Sequence, residues 1–180
     1  MNHDDHIHLL RKGLPASRSP GAIWADLGSG EGAFTLALAD LLGAGARIYS
    51  VDRDRRALIR QEQAMRAHFP AVDVSYIAAD FTRPLDLSSL DGIVMANSLH
   101  FVRLKEPVLR LVLSYLRPGG RLLLVEYNAD RGNPWVPYPF SYSTWEDLAR
   151  QAGFASTRLL ERRPSRFLGE IYSALSLVPA

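Results

Sequence analysis

The sequence predicts a doubly wound α/β domain, and three observations predict it. Short apolar runs alternate with longer amphipathic stretches, a glycine-rich turn joins the first run to the first helical stretch, and the last two runs follow each other with little between them. Strand-like runs occupy residues 22–27, 47–51, 72–79, 92–96 and 121–127, mostly apolar because helices would cover both faces of the sheet. Helices are predicted at 32–42, at 54–68 behind a capping Asp54, and at 105–116 with Pro107 in the first turn. In the third helix Val108, Leu111, Val112, Tyr115 and Leu116 form an apolar stripe at helical spacing, which marks core. Pro118, Gly119 and Gly120 stop that helix ahead of the fifth strand. A fourth helix at 144–152 and two strands at 155–163 and 168–178, paired as an antiparallel hairpin, complete a Rossmann-like, mostly parallel seven-stranded sheet.

Residues 128–142 differ from the rest, with Pro134, Pro137 and Pro139 interleaved with Trp135, Tyr138, Phe140 and Tyr142. They read as a long ordered loop. Residues 1–20 precede the first strand as a short N-terminal segment with Ile7, Leu9 and Leu10 apolar. No internal repeat, linker or break in composition divides the chain, so residues 1–180 read as one domain.

The 180 residues, 47% hydrophobic and 22% charged, suffice for a single domain with a real core. No apolar stretch approaches the roughly 18–20 residues of a bilayer-spanning helix. The opening MNHDDHIHLLRKG places acids and histidines where a secretory signal is cationic and then apolar, so neither membrane insertion nor secretion is expected. The absence of cysteine excludes disulfides, thiolate metal sites, iron–sulfur clusters and cysteine nucleophiles, and makes a reducing cytoplasm the expected compartment. The basic residues are 19 Arg and 2 Lys against 19 acids, a net charge of only +2. The densest groups, Arg53 with Arg55 and Arg56 and Arg162 with Arg163 and Arg166, read as solvated faces rather than a nucleic-acid groove.

The strongest chemical signal is ADLGSGEGAF, residues 25–34, where a strand ends in Gly28, Gly30 and Gly32 and a helix begins at once. Glycine there admits positive φ and lets a ligand touch backbone. Gly28, Gly30 and Ala33 also satisfy a looser dinucleotide fingerprint, with Asp52 near the spacing expected for a ribose contact. Three acids at strand ends sharpen the reading. Asp26 costs free energy at such a position unless something binds it. Asp52 can accept from both hydroxyls of one ribose. Asp80, followed by Phe81, can accept from an exocyclic amine while the ring packs on a base. Together they describe an adenosine site.

On these residues the chain resembles the class I S-adenosylmethionine-dependent methyltransferases, over roughly residues 22–127. The resemblance implies that Asp26, Gly28, Ser29, Gly30 and Gly32 cradle the methionine part of S-adenosylmethionine and that Asp52, with Arg53 beside it, binds the ribose. It further implies that Asp80 and Phe81 contact adenine and that Asn97 faces the methionine end. LRPGGRLLLVEY, residues 116–127, matches the stretch leading through strand five, and NSLHFV, residues 97–102, looks like small-molecule members related to quinone C-methyltransferases. The implied function is in-line methyl transfer to a small-molecule acceptor, by a monomer or a homodimer. Two alternatives stay open: an inert binding module, and a nicotinamide oxidoreductase, against which no Tyr-x-x-x-Lys pair exists.

The sulfonium is a strong electrophile, so the task is to hold the acceptor in line and exclude water. Substrate is expected above the carboxyl ends of the central strands, under the 128–142 loop acting as a lid, with Tyr127, Trp135, Tyr138 and Phe140 as walls. The rings equally suit pinning a long loop to the core. His100, just past strand four, is the candidate general base, against the alternative of a packed histidine bonded to backbone. His3, Asp4, His6 and His8 invite a metal reading, but no full ligand set is identifiable and no metal is expected; the N-terminal segment is expected to fold over the cofactor pocket. The stretch Asn97-Ser98-Leu99-His100 stands where amide and nucleobase N-methyltransferases carry Asn/Asp-Pro-Pro-Tyr, and magnesium-binding acids of the catechol type are not evident.

Overall fold

Strands that are apolar on both faces need cover on both, and the chain supplies it with two sets of helices. The computed structural model describes residues 1–16 and 21–180; residues 17–20 of the N-terminal segment lie outside the described residues. The order is α1 (His3–Arg11), β1 (Ile23–Leu27), α2 (Ala33–Leu42), β2 (Arg47–Asp52), α3 (Arg55–His68), β3 (Asp73–Ala78) and β4 (Leu90–Ala96). A single 3₁₀ turn at Leu99–Phe101 leads into α4 (Lys105–Tyr115), β5 (Leu116–Tyr127), α5 (Tyr142–Ala152), β6 (Ser156–Ser165) and β7 (Gly169–Leu177). The seven strands form one sheet in the order β3-β2-β1-β4-β5-β7-β6. β7 runs antiparallel to both β5 and β6, which is the closing hairpin the sequence predicts.

Alternate residues of each strand feed opposite cores. Trp24, Val94, Leu123 and Val125 join residues of α1 and α2 on one face. Ala25, Leu27, Ile93, Met95, Leu122 and Leu124 join α4 and α5 on the other. Asp54 caps α3 as expected, its Oδ1 accepting from the N–H groups of Arg56 and Ala57.

Two elements differ from the sequence reading. β5 begins at Leu116, because Leu90 pairs with Leu116 and Gly92 with Arg121. The Pro-Gly-Gly run predicted to precede the strand is therefore an irregularity within it, turned by Gly119 at φ 69°. The N-terminal segment contains a helix whose Asn2 and Asp5 make a reciprocal capping box. Ile7, Leu9 and Leu10 of α1 are buried against α2 and the β5–β7 part of the sheet, so the helix is held by apolar cover it needs there.

The 128–142 loop is pinned by Phe140. This ring is 2% exposed, 5.9 Å from Trp145 of α5, with the Lys105 ammonium 4.8 Å above its face. Phe140→Ala should therefore lower unfolding stability by about 3–5 kcal/mol in urea titration; a loss under about 1 kcal/mol would show that the loop is held by something else.

Candidate active site

The turn after β1 is held by backbone hydrogen bonds to the end of β2. Gly28 and Ser29 donate their N–H groups to Val51 O at the end of β2, at 2.8 and 3.0 Å, and Gly30 N–H donates to Asp52 Oδ2 at 2.8 Å. Gly28 has φ 79°, and a methyl group there would lie 2.5 Å from Ser98 Cβ. Behind the turn runs a buried polar chain. Thr35 Oγ1 donates to Asp26 Oδ2 at 2.6 Å, Gln61 Nε2 donates to Thr35 Oγ1, and Ser50 Oγ donates to Gln61 Oε1 at 2.6 Å while lying 2.7 Å from Ser29 Oγ. Asp26 is 1% exposed, and its Oδ1 has no protein partner. Burial raises its pKa to about 7, against the Thr35 hydrogen bond that lowers it, and the nearby Asp52 charge raises it further.

In front of the turn lies a cavity of about 370 Å³. Gly28, Gly30, Asp52, Arg53, Asp80, Phe81 and Asn97 line it, so seven of the ten cofactor residues named from sequence meet there. Asp26, Ser29 and Gly32 are not on its wall. Asp26 and Ser29 belong to the polar chain behind the loop, and Gly32 is tight against Gln61, whose Cγ would lie 2.3 Å from an added methyl. Ala79, Thr82, Ser98 and Phe101 also line the cavity and were not singled out from sequence. Their signal is only their adjacency to Asp80, Asn97 and His100 in the chain. Asp80 Oδ1 accepts from the hydroxyl and the N–H of Thr82, at 2.7 and 2.9 Å, and these bonds, the hydroxyl first, hold its carboxyl below the usual carboxylate range. Asn97 sits at φ 52° with a buried, unpartnered Oδ1.

The second half of the site gathers where β4 and β5 end. His100 is 2% exposed, and its Nδ1 is 2.7 Å from Glu126 Oε2; Glu126 Oε1 accepts the N–H groups of Leu99 and His100 at 2.9 and 3.2 Å. The histidine is thus bonded to a buried carboxylate through its ring, a partner not identified from sequence. Its ring centroid is 4.3 Å from that of Phe101 and 5.9 Å from that of Tyr127. Tyr127 continues to Phe167 at 5.7 Å and Phe167 to Trp135 at 6.3 Å, so the β6–β7 turn supplies a ring that sequence reading missed. Trp135 is 70% exposed and Tyr138 is also exposed. Phe140 is the correction: named as a wall, it lies in the core against Trp145, because an apolar ring at the end of a long loop is the anchor that loop requires. Lys105 ties the loop to the turn after β4, its Nζ donating to Val102 O and Tyr138 O at 3.0 Å each, and burial depresses its pKa.

The N-terminal histidines are occupied elsewhere. His3 Nε2 lies 3.1 Å from Asp40 Oδ2, His8 Nδ1 lies 2.7 Å from Asp4 O, and His6 packs on Phe34. Among the described residues no group of three or more such side chains is placed to hold a metal ion, and no residue of α1 lines the cavity.

A family model described as a methyltransferase domain matches residues 19–158 of this chain. The chain belongs to the methyltransferase domain family. It is 30% identical over 122 residues to a ubiquinone/menaquinone biosynthesis C-methyltransferase of Azotobacter vinelandii, covering 65% of this chain and 48% of that protein. It is 31% identical over 158 residues to an arsenite methyltransferase of Aquipseudomonas alcaligenes, covering 77% of this chain and 46% of that protein. The chain thus spans about half the length of these curated relatives. Among solved structures, a phosphoethanolamine N-methyltransferase 2 of Haemonchus contortus, in complex with phosphomonomethylethanolamine and S-adenosylhomocysteine, superposes with a TM-score of 0.79 at 14% identity, over 98% of this chain and 53% of that one. The resemblance to class I S-adenosylmethionine-dependent methyltransferases is borne out, and with it the fold.

The cavity of this methyltransferase domain fits S-adenosylmethionine on its own terms. Asn97 Oδ1 is an enclosed acceptor without a donor, Gly30 faces open space where a side chain would begin, and Asp52 and Asp80 are acceptors with lone pairs to spare.

Asp26 gives a pH signature. Its carboxyl titrates near 3.8 when unfolded and near 7 when folded, so between those values the unfolded chain releases a proton the folded one keeps, and stability falls as pH rises, levelling above about 7. Asp26→Asn removes that slope. Urea unfolding should show the variant gaining on the wild type by on the order of 4 kcal/mol from about pH 4 to about pH 8; parallel pH profiles would contradict the buried, protonated acid.

Proposed function

We propose that this domain binds S-adenosylmethionine in the cavity beside the β1 turn and transfers its methyl group to a small, largely apolar acceptor held under the Trp135–Phe167–Tyr127 rings. The observation that carries the reading is the convergence on one cavity of the glycine turn and the acids that end β2 and β3, with Asn97 after β4. When bound, S-adenosylmethionine supplies a methyl group activated by a positively charged sulfur.

The chain's own residues do the rest. Asp52 already orients the turn through Gly30 N–H, and its remaining lone pairs accept from a vicinal diol. Asp80 keeps Oδ2 for an exocyclic amine because Thr82 takes only Oδ1. Phe81 offers its ring to a flat base, and Asn97 Oδ1 accepts from an ammonium group. On the acceptor side, Trp135 and Tyr138 line an exposed aromatic approach, and His100 is the residue proposed to take a proton. The relatives named above are a ubiquinone/menaquinone biosynthesis C-methyltransferase, an arsenite methyltransferase and a phosphoethanolamine N-methyltransferase, so the acceptor class rests on the rings themselves.

Calorimetric titration with S-adenosylhomocysteine separates the two halves of the site. Asp52→Ala should weaken binding by about tenfold or more, the worth of hydrogen bonds to a charged group. Trp135→Ala should leave it within about twofold while raising the acceptor KM. Binding of NADH in preference to the sulfur nucleoside, or equal losses in both variants, would overturn the assignment.

A further inference from the structure

Three segments at the carboxyl end of the parallel strands repeat one pairing, an exposed apolar side chain close to an arginine. The turn after β4 carries Phe101, Arg103 and Leu104, the loop after β5 carries Arg131 and Trp135, and the β6–β7 turn carries Arg166 and Phe167. The last reaches this end because β7 runs antiparallel to β5, with Tyr127 opposite Ile171. The three segments touch. Lys105 Nζ at the start of α4 donates to Tyr138 O of the loop, and the Trp135 and Phe167 rings meet at 6.3 Å. Of the exposed large apolar side chains among the described residues, Phe101, Leu104, Trp135, Tyr138 and Phe167 gather here, and the others, Met1 and Ile59, belong to the N-terminus and α3. Leu104 is the most open, at 74%. Apolar side chains gathered in water on one face mark a contact surface.

The arginines of this face carry uncompensated charge. Arg103, Arg131 and Arg166 are exposed and face no carboxylate among the described residues, whereas Arg47, Arg66, Arg110, Arg117 and Arg150 each do. The acids near them in the chain are engaged elsewhere: Asp130 accepts from Ser141 N–H and the Thr144 hydroxyl, Glu106 from Arg110, and Glu170 from Asn128. We propose that this end of the molecule docks on the surface of an anionic lipid bilayer, the exposed rings and Leu104 entering the headgroup layer while Arg103, Arg131 and Arg166 meet the lipid phosphates and carboxylates. Rings and a leucine alone suit any apolar partner; the unpaired cations select a negative one. A second copy fits poorly, because a twofold contact lays this patch on its own image and sets like charges together. Single-stranded nucleic acid fits poorly as well, because Tyr127, Phe167 and Trp135 pack on one another tilted and edge-on rather than as a row of free faces, and Leu104 cannot stack. A headgroup layer takes tryptophan, tyrosine and aliphatic side chains together. The contact is with a surface, since no helix among the described residues is long and apolar enough to cross a membrane. It does not depend on what the cavity binds.

Sedimentation of the full chain with vesicles of phosphatidylcholine, alone or with about one-third phosphatidylserine, tests this at low and high salt. Binding is expected to the mixed vesicles only, and to fall as salt rises. The triple variant R103E/R131E/R166E should bind them on the order of 100-fold more weakly, from about fivefold per basic residue at such a surface, and Leu104→Ser about tenfold more weakly. R47E/R66E/R150E changes the net charge equally at the opposite end of the sheet, where β2 begins and α3 and α5 finish, and should stay within about threefold of wild type. Fluorescence gives a second readout. Trp24 and Trp145 are buried, so Trp135 emission should move to the blue on mixed vesicles, and Trp135→Phe should abolish that shift while sedimentation persists. No binding to mixed vesicles, equal binding to phosphatidylcholine alone, binding without the blue shift, or equal losses in the two triple variants overturns the proposal. Without vesicle binding, a dimer broken by Leu104→Ser, or a single-stranded oligonucleotide held by the wild type and released by R103E/R131E/R166E, would assign the face to a second copy or to nucleic acid instead.

Discussion

The site exists because the chain leaves β1 and β4, which lie side by side, toward opposite faces of the sheet. α2 packs into the core shared with α1, and α4 into the core shared with α5. Two neighbouring strands whose connections diverge cannot fill the space above their carboxyl ends, and a crevice opens there. The glycine turn follows from the same constraint. It must cross the mouth of the crevice beside Ser98, so Gly28 has no room for a methyl group, and it must clear Gln61 on the way into α2, so Gly32 has none either. Gly30 has the room but faces the cavity, where a side chain would occupy the ligand's place.

The acids of the site differ in how their burial is compensated. Asp52 and Asp80 are at least partly in contact with water and bonded by nearby N–H or hydroxyl groups, so their charges are cheaply held. Asp26 receives one hydroxyl for two oxygens, and its burial raises its pKa by more than that one hydrogen bond lowers it. Glu126 is as deeply buried as Asp26 but receives three donors, one of them an imidazole. The same residue chemistry therefore leaves one carboxyl with a single donor behind the glycine turn and the other with a full set of partners under the turn after β4.

How much of this could be read from the sequence depended on how local each determinant is. The acids at the strand ends and the glycines of the turn act through spacing along the chain, so seven of the residues that line the cavity were legible before any tertiary contact was known. The 128–142 loop was not, because nothing in its composition distinguishes Phe140, buried on Trp145, from Trp135, exposed beside Phe167. That difference lies in α5 and the β6–β7 turn, far away in sequence. The start of β5 was misplaced for a related reason: Pro118, Gly119 and Gly120 are local breakers, and only the pairing of Leu116 with Leu90 carries the strand through them. Glu126 was hidden inside an apolar run and meets Leu99 and His100 only once β5 is laid beside β4.

This division has a functional consequence. The cavity wall is drawn from consecutive strand ends, and one of its acids, Asp52, also holds the glycine turn through Gly30 N–H. The aromatic row is assembled from the turn after β4, the end of β5, the long loop and the β6–β7 turn, and its rings meet edge to face and tilted rather than in one packed layer. Such a surface can exchange a ring without reaching the glycine turn. On the proposed function, such an arrangement lets the acceptor change while the cofactor's surroundings stay as they are.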